Sequence, residues 1–213
     1  HLCELIHASL LPEHQSDGQR KFRRIEENQN VMPYLFENFI LAFAKKHLQQ
    51  ATCHRPSIKW IADYHSESSA NLMPTMKTDV TIEWKNTKRK LILDCKYYKS
   101  AFTTQTFTND SEVTRFKTNN LYQIFAYLMN KRETPGWESV EGMLLYPTTT
   151  VDFSEEITLH RHHRLQLCSV NLLADWQDIE TQLLERLLYH TPLIVKKWAV
   201  GIDRWAIRAT LFN

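Results

Sequence analysis

A pattern with a period of two runs along two neighbouring stretches of the chain, residues 79–84 (DVTIEW) and 90–98 (KLILDCKYY). This period is typical of β-strands that turn one face toward a core. The short polar stretch between them predicts a turn, so we expect an antiparallel hairpin. In the register centred on that turn, Glu83 faces Lys90 and the aliphatic residues of the two strands face each other. Opposite charges and core residues are then paired correctly, which makes the register self-consistent.

Longer periodic stretches predict helices and further strands around this hairpin. Residues 32–50 have a helical pattern, with Pro33 suited to the first turn. Residues 99–117 are predicted to be a long polar connection, and the helix that follows is apolar nearly all round, so we expect it to be buried. The remaining predicted elements are helices over 1–12, 119–132 and 175–188, strands over 57–64 and 141–147, and one or two strands within 156–172.

The hairpin register brings two aspartates together on one face. Asp79 lies directly opposite Asp94, and opposed Cβ atoms of antiparallel strands are about 4.5–5.5 Å apart. Two carboxylates that close repel each other unless a cation lies between them or one is protonated. A divalent cation that prefers oxygen ligands removes the repulsion. Lys96 shares the face, where it can act on a metal-bound water or neutralise charge on a phosphate.

Three further polar residues lie on apolar helical faces. Glu37 is on the apolar stripe of the helix 32–50, where it is either a rim glutamate or a carboxylate directed at a buried site. Gln123 and Tyr127 are i, i+4 neighbours, and an amide inside an apolar helix needs a hydrogen-bond partner. An Asp-x-Lys triplet alone occurs by chance in many chains. The candidate site therefore depends on all of these residues together.

Composition limits the possible classes of protein. The 213 residues are 43% hydrophobic and 23% charged, which fits a globular domain, and a net charge of +2 does not by itself indicate a nucleic-acid partner. Four scattered cysteines form no C-x-x-C pair, which argues against a zinc ribbon and for reduced, cytosolic thiols. Four glycines argue against a Gly-rich phosphate loop. No apolar run reaches the roughly 18 residues of a membrane span, so we expect no membrane partner.

A group of histidines allows two interpretations. His160, His162 and His163 could form a transition-metal site. Neighbouring side chains on a strand point to opposite faces, however, so three clustered histidines do not share one face. A polar strand face or a hairpin turn explains them more simply.

The order of these elements resembles the PD-(D/E)xK nuclease superfamily. The residues that carry the resemblance are Glu37, Asp79, Asp94, Cys95, Lys96, Gln123 and Tyr127. Within the superfamily, the segments YLFENFILAF, TDVTI, LILDCKYY, NLYQIFAYL and GMLLYP together look like the McrC family, the nuclease subunits of McrBC-type modification-dependent restriction systems. The resemblance covers residues 31–175. It departs from the motif at Thr78, where the superfamily often replaces its proline.

The resemblance implies an α/β fold with a restriction-endonuclease-like core. Its elements would follow the order α-β-β-β-α-β, with a mixed sheet flanked by helices and a helical N-terminal extension. The nuclease domain would span residues 31–188. Residues 1–30 would be a helical segment, which could be the end of a missing upstream region, and residues 189–213 would be a C-terminal extension of uncertain role.

Carried over position by position, the resemblance also implies a site. The implied metal ligands are Glu37, Asp79, Asp94 and the backbone carbonyl of Cys95. The implied catalytic residues are Asp79, Asp94, Lys96 and Gln123, with Tyr127 in support. The expected cofactor is Mg²⁺, for which Mn²⁺ can substitute. The expected DNA-phosphate contacts are Lys77, Lys99, Arg115 and Lys117.

The function implied is that of a magnesium-dependent endonuclease subunit acting on double-stranded DNA in the cytoplasm of a bacterium or archaeon. A separate McrB-like AAA+ GTPase would be its partner and would provide recognition of modified cytosine. Two alternatives stay open. One is a RecB-like DNA repair or mobile-element nuclease that acts without a GTPase. The other is a non-catalytic adaptor with a nuclease fold, which the intact set of Asp79, Asp94 and Lys96 disfavours.

Overall fold

The computed structural model describes residues 31–98, 100–106, 112–148 and 152–188. The helices are α1 (Val31–His47), α2 (Glu67–Asn71), α3 (Thr118–Lys131) and α4 (Trp176–Leu188). The strands are β1 (Ala51–His54), β2 (Ser57–Ile58), β3 (Met76–Lys77), β4 (Val80–Trp84), β5 (Lys90–Cys95), β6 (Phe102–Thr106), β7 (Glu112–Phe116), β8 (Glu141–Thr148), β9 (Ser154–Leu159) and β10 (His163–Asn171). No helix among these residues has the length and apolar character needed to cross a bilayer.

A mixed sheet forms the centre of the described part of the chain. Its six strands lie in the order β1-β4-β5-β8-β10-β9. The strands β5, β8 and β10 run parallel to one another, whereas β1, β4 and β9 pair with their neighbours antiparallel. Helices α1 and α4 pack on one face of the sheet, and α3 packs on the other. This arrangement confirms the expected α/β fold with a restriction-endonuclease-like mixed sheet.

The hairpin β4–β5 has the register that the sequence predicts. Val80 pairs with Leu93 and Glu83 pairs with Lys90, and the two side-chain charges of the second pair are 3.7 Å apart. Alternate residues of β5 enter the two different apolar clusters above and below the sheet. The face of the sheet on which Asp94 lies is therefore fixed by the pleat.

The strands in the first half of the chain differ from the prediction in two places. Residues 57–64 form a strand only at Ser57–Ile58, and Ile61 is 63% exposed because the chain leaves the sheet there. A short strand at Ala51–His54 pairs with β4 and was not predicted. Its four residues are too few for a recognisable alternation, and its pairing partner is distant in sequence.

Two further predictions need correction. The connection 99–117 contains the hairpin of β6 and β7, and the phenyl rings of Phe102 and Phe116 lie 4.8 Å apart there. The helix α3 is not buried all round, since Tyr122 is 69% exposed. A helix that packs on one face of a sheet leaves its opposite side in water. The predicted segments 1–30 and 189–213 lie outside the described residues, so the domain boundaries stay predictions.

A cluster of charges anchors the three parallel strands at their amino-terminal ends. The carboxylate of Glu141, the first residue of β8, lies 3.0 Å from Arg89 and 2.5 Å from Arg164. Arg89 precedes β5, and Arg164 belongs to β10. Arg89 also donates a hydrogen bond to the carbonyl of Leu187 in α4. One carboxylate thus links three strands, and Arg89 extends the link to a helix.

We expect Glu141→Ala to lower the free energy of unfolding by roughly 3 kcal/mol, the range for removing one partner of a largely buried ionic cluster. Chemical denaturation measures the change. The matched control is Glu133→Ala, since Glu133 is exposed and forms an ion pair with Arg132 at 3.6 Å, and we expect a change within about 0.5 kcal/mol. Equal losses in the two variants would contradict an anchoring role for Glu141.

Candidate active site

The candidate site lies at one edge of the central sheet. Because β4 runs antiparallel to β1 and β5, the start of β4 and the ends of β1 and β5 meet at the same edge. An open pocket of about 210 Å³ lies there. Its lining residues are Pro33, Glu37, Asp79, Asp94, Cys95, Lys96, Tyr97, Tyr98 and Gln123. Every site residue predicted from the sequence, apart from the supporting Tyr127, therefore lines one pocket.

Asp79 stands directly before β4 and continues the hairpin with its side chain. Its Oδ2 accepts a hydrogen bond of 2.7 Å from the backbone N–H of Cys95. The last paired residues of the ladder are Val80 and Leu93. The carboxylate thus takes an N–H of β5 that lies beyond the last pair of the ladder. This contact holds the Asp79 side chain at the end of β5, beside Asp94.

Asp94 of β5 and Lys96, which directly follows that strand, form a nearly buried ion pair on the face of the sheet that α3 covers. The Asp94 Oδ2 and Lys96 Nζ atoms are 2.6 Å apart, and the side chains are 2% and 10% exposed. Lys96 Nζ also donates a 2.6 Å hydrogen bond to Oε1 of Gln123 on α3. The ammonium group is therefore held between a strand and a helix, and it lies at the wall of the pocket.

Gln123 is oriented by a chain of hydrogen bonds along α3. Its Nε2 donates to the hydroxyl of Tyr127 at 2.7 Å, and that hydroxyl donates to the backbone carbonyl of Lys77 at 3.0 Å. The amide therefore presents its oxygen to Lys96. The i, i+4 spacing of Gln123 and Tyr127 is what allows the two side chains to meet.

Glu37 reaches the pocket from the second turn of α1. Its carboxylate lies 3.7 Å from Nη2 of Arg55, a residue that the sequence analysis did not single out. Arg55 also donates from Nε to the backbone carbonyl of Asp79 at 2.7 Å and from Nη1 to Asn38 at 2.9 Å. No motif in the sequence marks Arg55, because its place follows from the pairing of β1 with β4.

Burial makes the charged form of the pocket's carboxyl groups costly. Burial raises the pKa of Asp94 to about 6, an effect that Lys96 opposes and Asp79 reinforces. Burial likewise raises the pKa values of Asp79 and Glu37, and Asp79 adds to the shift of Glu37. Burial works to lower the pKa of Lys96, but the Asp94 carboxylate outweighs it, so the pKa is raised. The site therefore favours an additional cation.

Comparisons with known proteins show the family of the chain. A family model described as McrBC 5-methylcytosine restriction system component matches residues 1–147. The chain belongs to this McrBC family. It is also 33% identical, over 184 residues, to an Escherichia coli (strain K12) protein named Type IV methyl-directed restriction enzyme EcoKMcrBC. That alignment covers 86% of this chain and 50% of the relative, so the chain spans about half the length of the curated relative it matches.

The oxygen donors of the McrBC-family pocket suit a hard divalent cation. Asp79, Asp94 and Glu37 offer carboxylate oxygens, and the backbone carbonyl of Cys95 is a further candidate ligand. Among the described residues, no three acidic, histidine or cysteine side chains are already arranged around a common metal position. One oxygen of Asp79 contacts Cys95 and one of Asp94 contacts Lys96. The chemistry of the donor set fits a metal ion.

The predicted DNA contacts lie in different surroundings. Lys77 and Arg115 are exposed, and Nζ of Lys117 lies 4.2 Å from the ring centre of Tyr98, which lines the pocket. Lys99 lies outside the described residues.

His160 occupies a turn with a positive φ, and His163 is buried with its Nδ1 2.9 Å from the carbonyl of Val140. His160 therefore lies in the turn between β9 and β10, and His163 begins β10.

Asp79→Asn keeps an oxygen that can accept from Cys95 N–H and removes one negative charge. The raised pKa of Asp79 means that folding favours its protonated form, so the ionised form weakens the fold at neutral pH. We expect the variant to gain about 1 kcal/mol of unfolding free energy in EDTA, the usual scale for relieving a functional site.

Chemical denaturation at pH 7 tests this, with Asp152→Asn as the control. Asp152 is half exposed and forms an ion pair with Arg186 at 3.0 Å, so its replacement should leave stability unchanged or slightly lower. A loss of stability in Asp79→Asn would show that the charge of Asp79 is already compensated.

Proposed function

We propose that this chain is the nuclease subunit of a modification-dependent restriction system. It hydrolyses phosphodiester bonds of double-stranded DNA with Mg²⁺, for which Mn²⁺ can substitute. Its partner is an McrB-like AAA+ GTPase, and the system works in the cytoplasm of a bacterium or archaeon. The observation that carries the proposal is the convergence of Asp79, Asp94 and Lys96 on one open pocket.

In this proposal the residues of the pocket have separate roles. Asp79 and Asp94 would hold the metal ion, with Glu37 and the carbonyl of Cys95 completing the ligands. When bound, Mg²⁺ lowers the pKa of a coordinated water and neutralises charge on a phosphate. Lys96 supplies a positive charge at the pocket wall, where it can stabilise the phosphate as its negative charge grows.

Gln123 acts on the position of Lys96. The ammonium group of Lys96 has two partners, Asp94 and the oxygen of Gln123. An aspartate that held a metal ion would have less charge to share with Lys96, and the bond from Gln123 would keep the ammonium in place. A helix-borne amide that is itself fixed by Tyr127 is suited to this task.

The alternatives receive less support. A non-catalytic adaptor has no need for a buried aspartate with a pKa raised to about 6, since such a group lowers stability and typically marks a functional site. A RecB-like enzyme without a GTPase would have the same pocket. The match to the McrBC family and to an enzyme named as methyl-directed favours a restriction system over repair.

The test is cleavage of plasmid DNA that contains 5-methylcytosine, by the chain together with an McrB-like partner, GTP and MgCl₂. We expect cleavage that EDTA abolishes, and a rate about 10²–10³-fold lower for Lys96→Met, the usual effect of removing one charge-stabilising donor. Gel electrophoresis measures the rate.

The matched control is Lys90→Met, because Lys90 begins the strand that Lys96 directly follows, forms an ion pair with Glu83 and is not part of the pocket. Its cleavage rate should equal that of the wild type. Cleavage without the partner and GTP would favour the RecB-like alternative. If the Lys96→Met variant were as active as the wild type, the cleavage would come from a contaminating nuclease or from a different site, and the proposed active site would be wrong.

Tyr127→Phe tests the hydrogen-bond chain that orients Gln123. The variant removes the acceptor of Gln123 Nε2 and the donor to Lys77, so the amide can rotate away from Lys96. We expect kcat to fall roughly five-fold, equivalent to about 1 kcal/mol for a hydrogen bond.

Tyr146→Phe is the control for this prediction. Its hydroxyl is also buried, accepts a 3.1 Å hydrogen bond from Asn120 and lies outside the pocket. Both variants should lose similar stability, but only Tyr127→Phe should lose kcat. Equal kcat values for the two variants would show that the orientation of Gln123 by Tyr127 does not contribute to catalysis.

A further inference from the structure

Arg55 connects two walls of the acidic pocket and belongs to none of the motifs. It directly follows β1, whose pairing with β4 ends where His54 lies opposite Thr81. The residue therefore stands at the edge of the sheet where β4 begins and β5 ends. We propose that Arg55 is a positioning residue for the metal-binding carboxylates, a role that rests on the function proposed above.

The guanidinium of Arg55 contacts both walls at once. On the strand side, Nε donates to the backbone carbonyl of Asp79 at 2.7 Å. On the helix side, Nη1 donates to Oδ1 of Asn38 at 2.9 Å, and Nη2 lies 3.7 Å from Oε2 of Glu37. A planar guanidinium presents its donors in fixed directions, so these contacts fix the helix α1 relative to the start of β4.

Asp79 needs this support because it precedes the ladder. The paired residues of β4 and β5 begin at Val80, so no recorded strand pairing holds the backbone of Asp79. Its side chain is held by Cys95 N–H and its carbonyl by Arg55 Nε. Fixing both ends of the residue fixes the direction of the carboxylate. A metal ligand has to be placed within about 0.5 Å to be useful.

The charge of Arg55 and its positioning role would change metal binding in opposite directions. A positive charge next to Glu37 and Asp79 offsets their mutual repulsion, and it also repels an incoming metal cation. If Arg55 acted only through its charge, its removal would strengthen metal binding. If it positions the carboxylates, its removal would weaken metal binding. The direction of the change therefore separates the two roles.

The experiment is calorimetric titration of the full chain with MnCl₂, for the wild type, Arg55→Met and Arg55→Lys. We expect Arg55→Met to bind Mn²⁺ at least about ten-fold more weakly, at the lower end of the range for residues that orient metal ligands. Arg55→Lys keeps the charge and loses the fork of donors, so its Mn²⁺ binding should also be weaker. Tighter binding by Arg55→Met, with wild-type binding by Arg55→Lys, would overturn the proposal.

Arg186→Met is the matched control. Arg186 pairs with Asp152 at 3.0 Å, and its side chain is 16% exposed, compared with 19% for Arg55. Its Mn²⁺ affinity should equal that of the wild type. Thermal unfolding in EDTA checks that each variant is folded.

Asn38→Ala keeps the test decisive if Arg55→Met does not fold. This variant removes one anchor of the guanidinium and leaves every carboxylate in place, so we expect a smaller loss of Mn²⁺ affinity in the same direction. If Asn38→Ala and Arg55→Lys both bound Mn²⁺ with wild-type affinity, the positioning role of Arg55 would be refuted, and the metal site itself would not. A wild-type chain that binds no Mn²⁺ would instead refute the metal site of the proposed function, and the positioning role with it.

Discussion

A carboxylate that is almost excluded from water is the constraint on which this site depends. The Asp94 side chain is 2% exposed and lies 2.6 Å from Nζ of Lys96. Burial of an ionised carboxylate is costly unless partners replace its hydration. Lys96 and Arg55 are two cations beside the three carboxylates of Asp94, Asp79 and Glu37. Burial is the main reason why the pKa values of all three carboxyl groups are raised. The rest of the fold has to hold this charge in place, because free side chains would separate.

The sheet holds the charge through its topology. Asp94 lies in β5, and its backbone is paired with Leu144 of β8 on the parallel side. Reversal of direction between β5 and β4, and again between β4 and β1, brings Asp79 and Arg55 to the same edge. Helices on opposite faces then add Glu37 from α1 and Gln123 from α3. The helices and strands that bring these residues together are each anchored in one of the two apolar clusters.

The sequence allowed the hairpin part of the site to be predicted, because its geometry is local. Alternation and the Glu83–Lys90 pair define the register, and the register brings Asp79 near Asp94 and Lys96. The positions of Glu37 and Gln123 relative to this hairpin came from the family resemblance, since helical periodicity gives a face and not a neighbour. Arg55 was not predicted as a site residue, because its position depends on a four-residue strand that pairs with residues about thirty positions away. Long-range pairing of short strands leaves almost no local signal.

The two ends of the parallel strands differ in how well their charges are balanced, and this difference has a physical reason. At the amino-terminal ends, Glu141 is shared by Arg89 and Arg164, so opposite charges neutralise one another. At the carboxyl-terminal end of β5, acidic groups outnumber their close cations. A balanced cluster stabilises the native strands without any ligand, whereas an unbalanced one gains its full stabilisation only when a cation binds. The charge cluster at one end of the strands thus offsets part of the cost of the buried acidic groups at the other end.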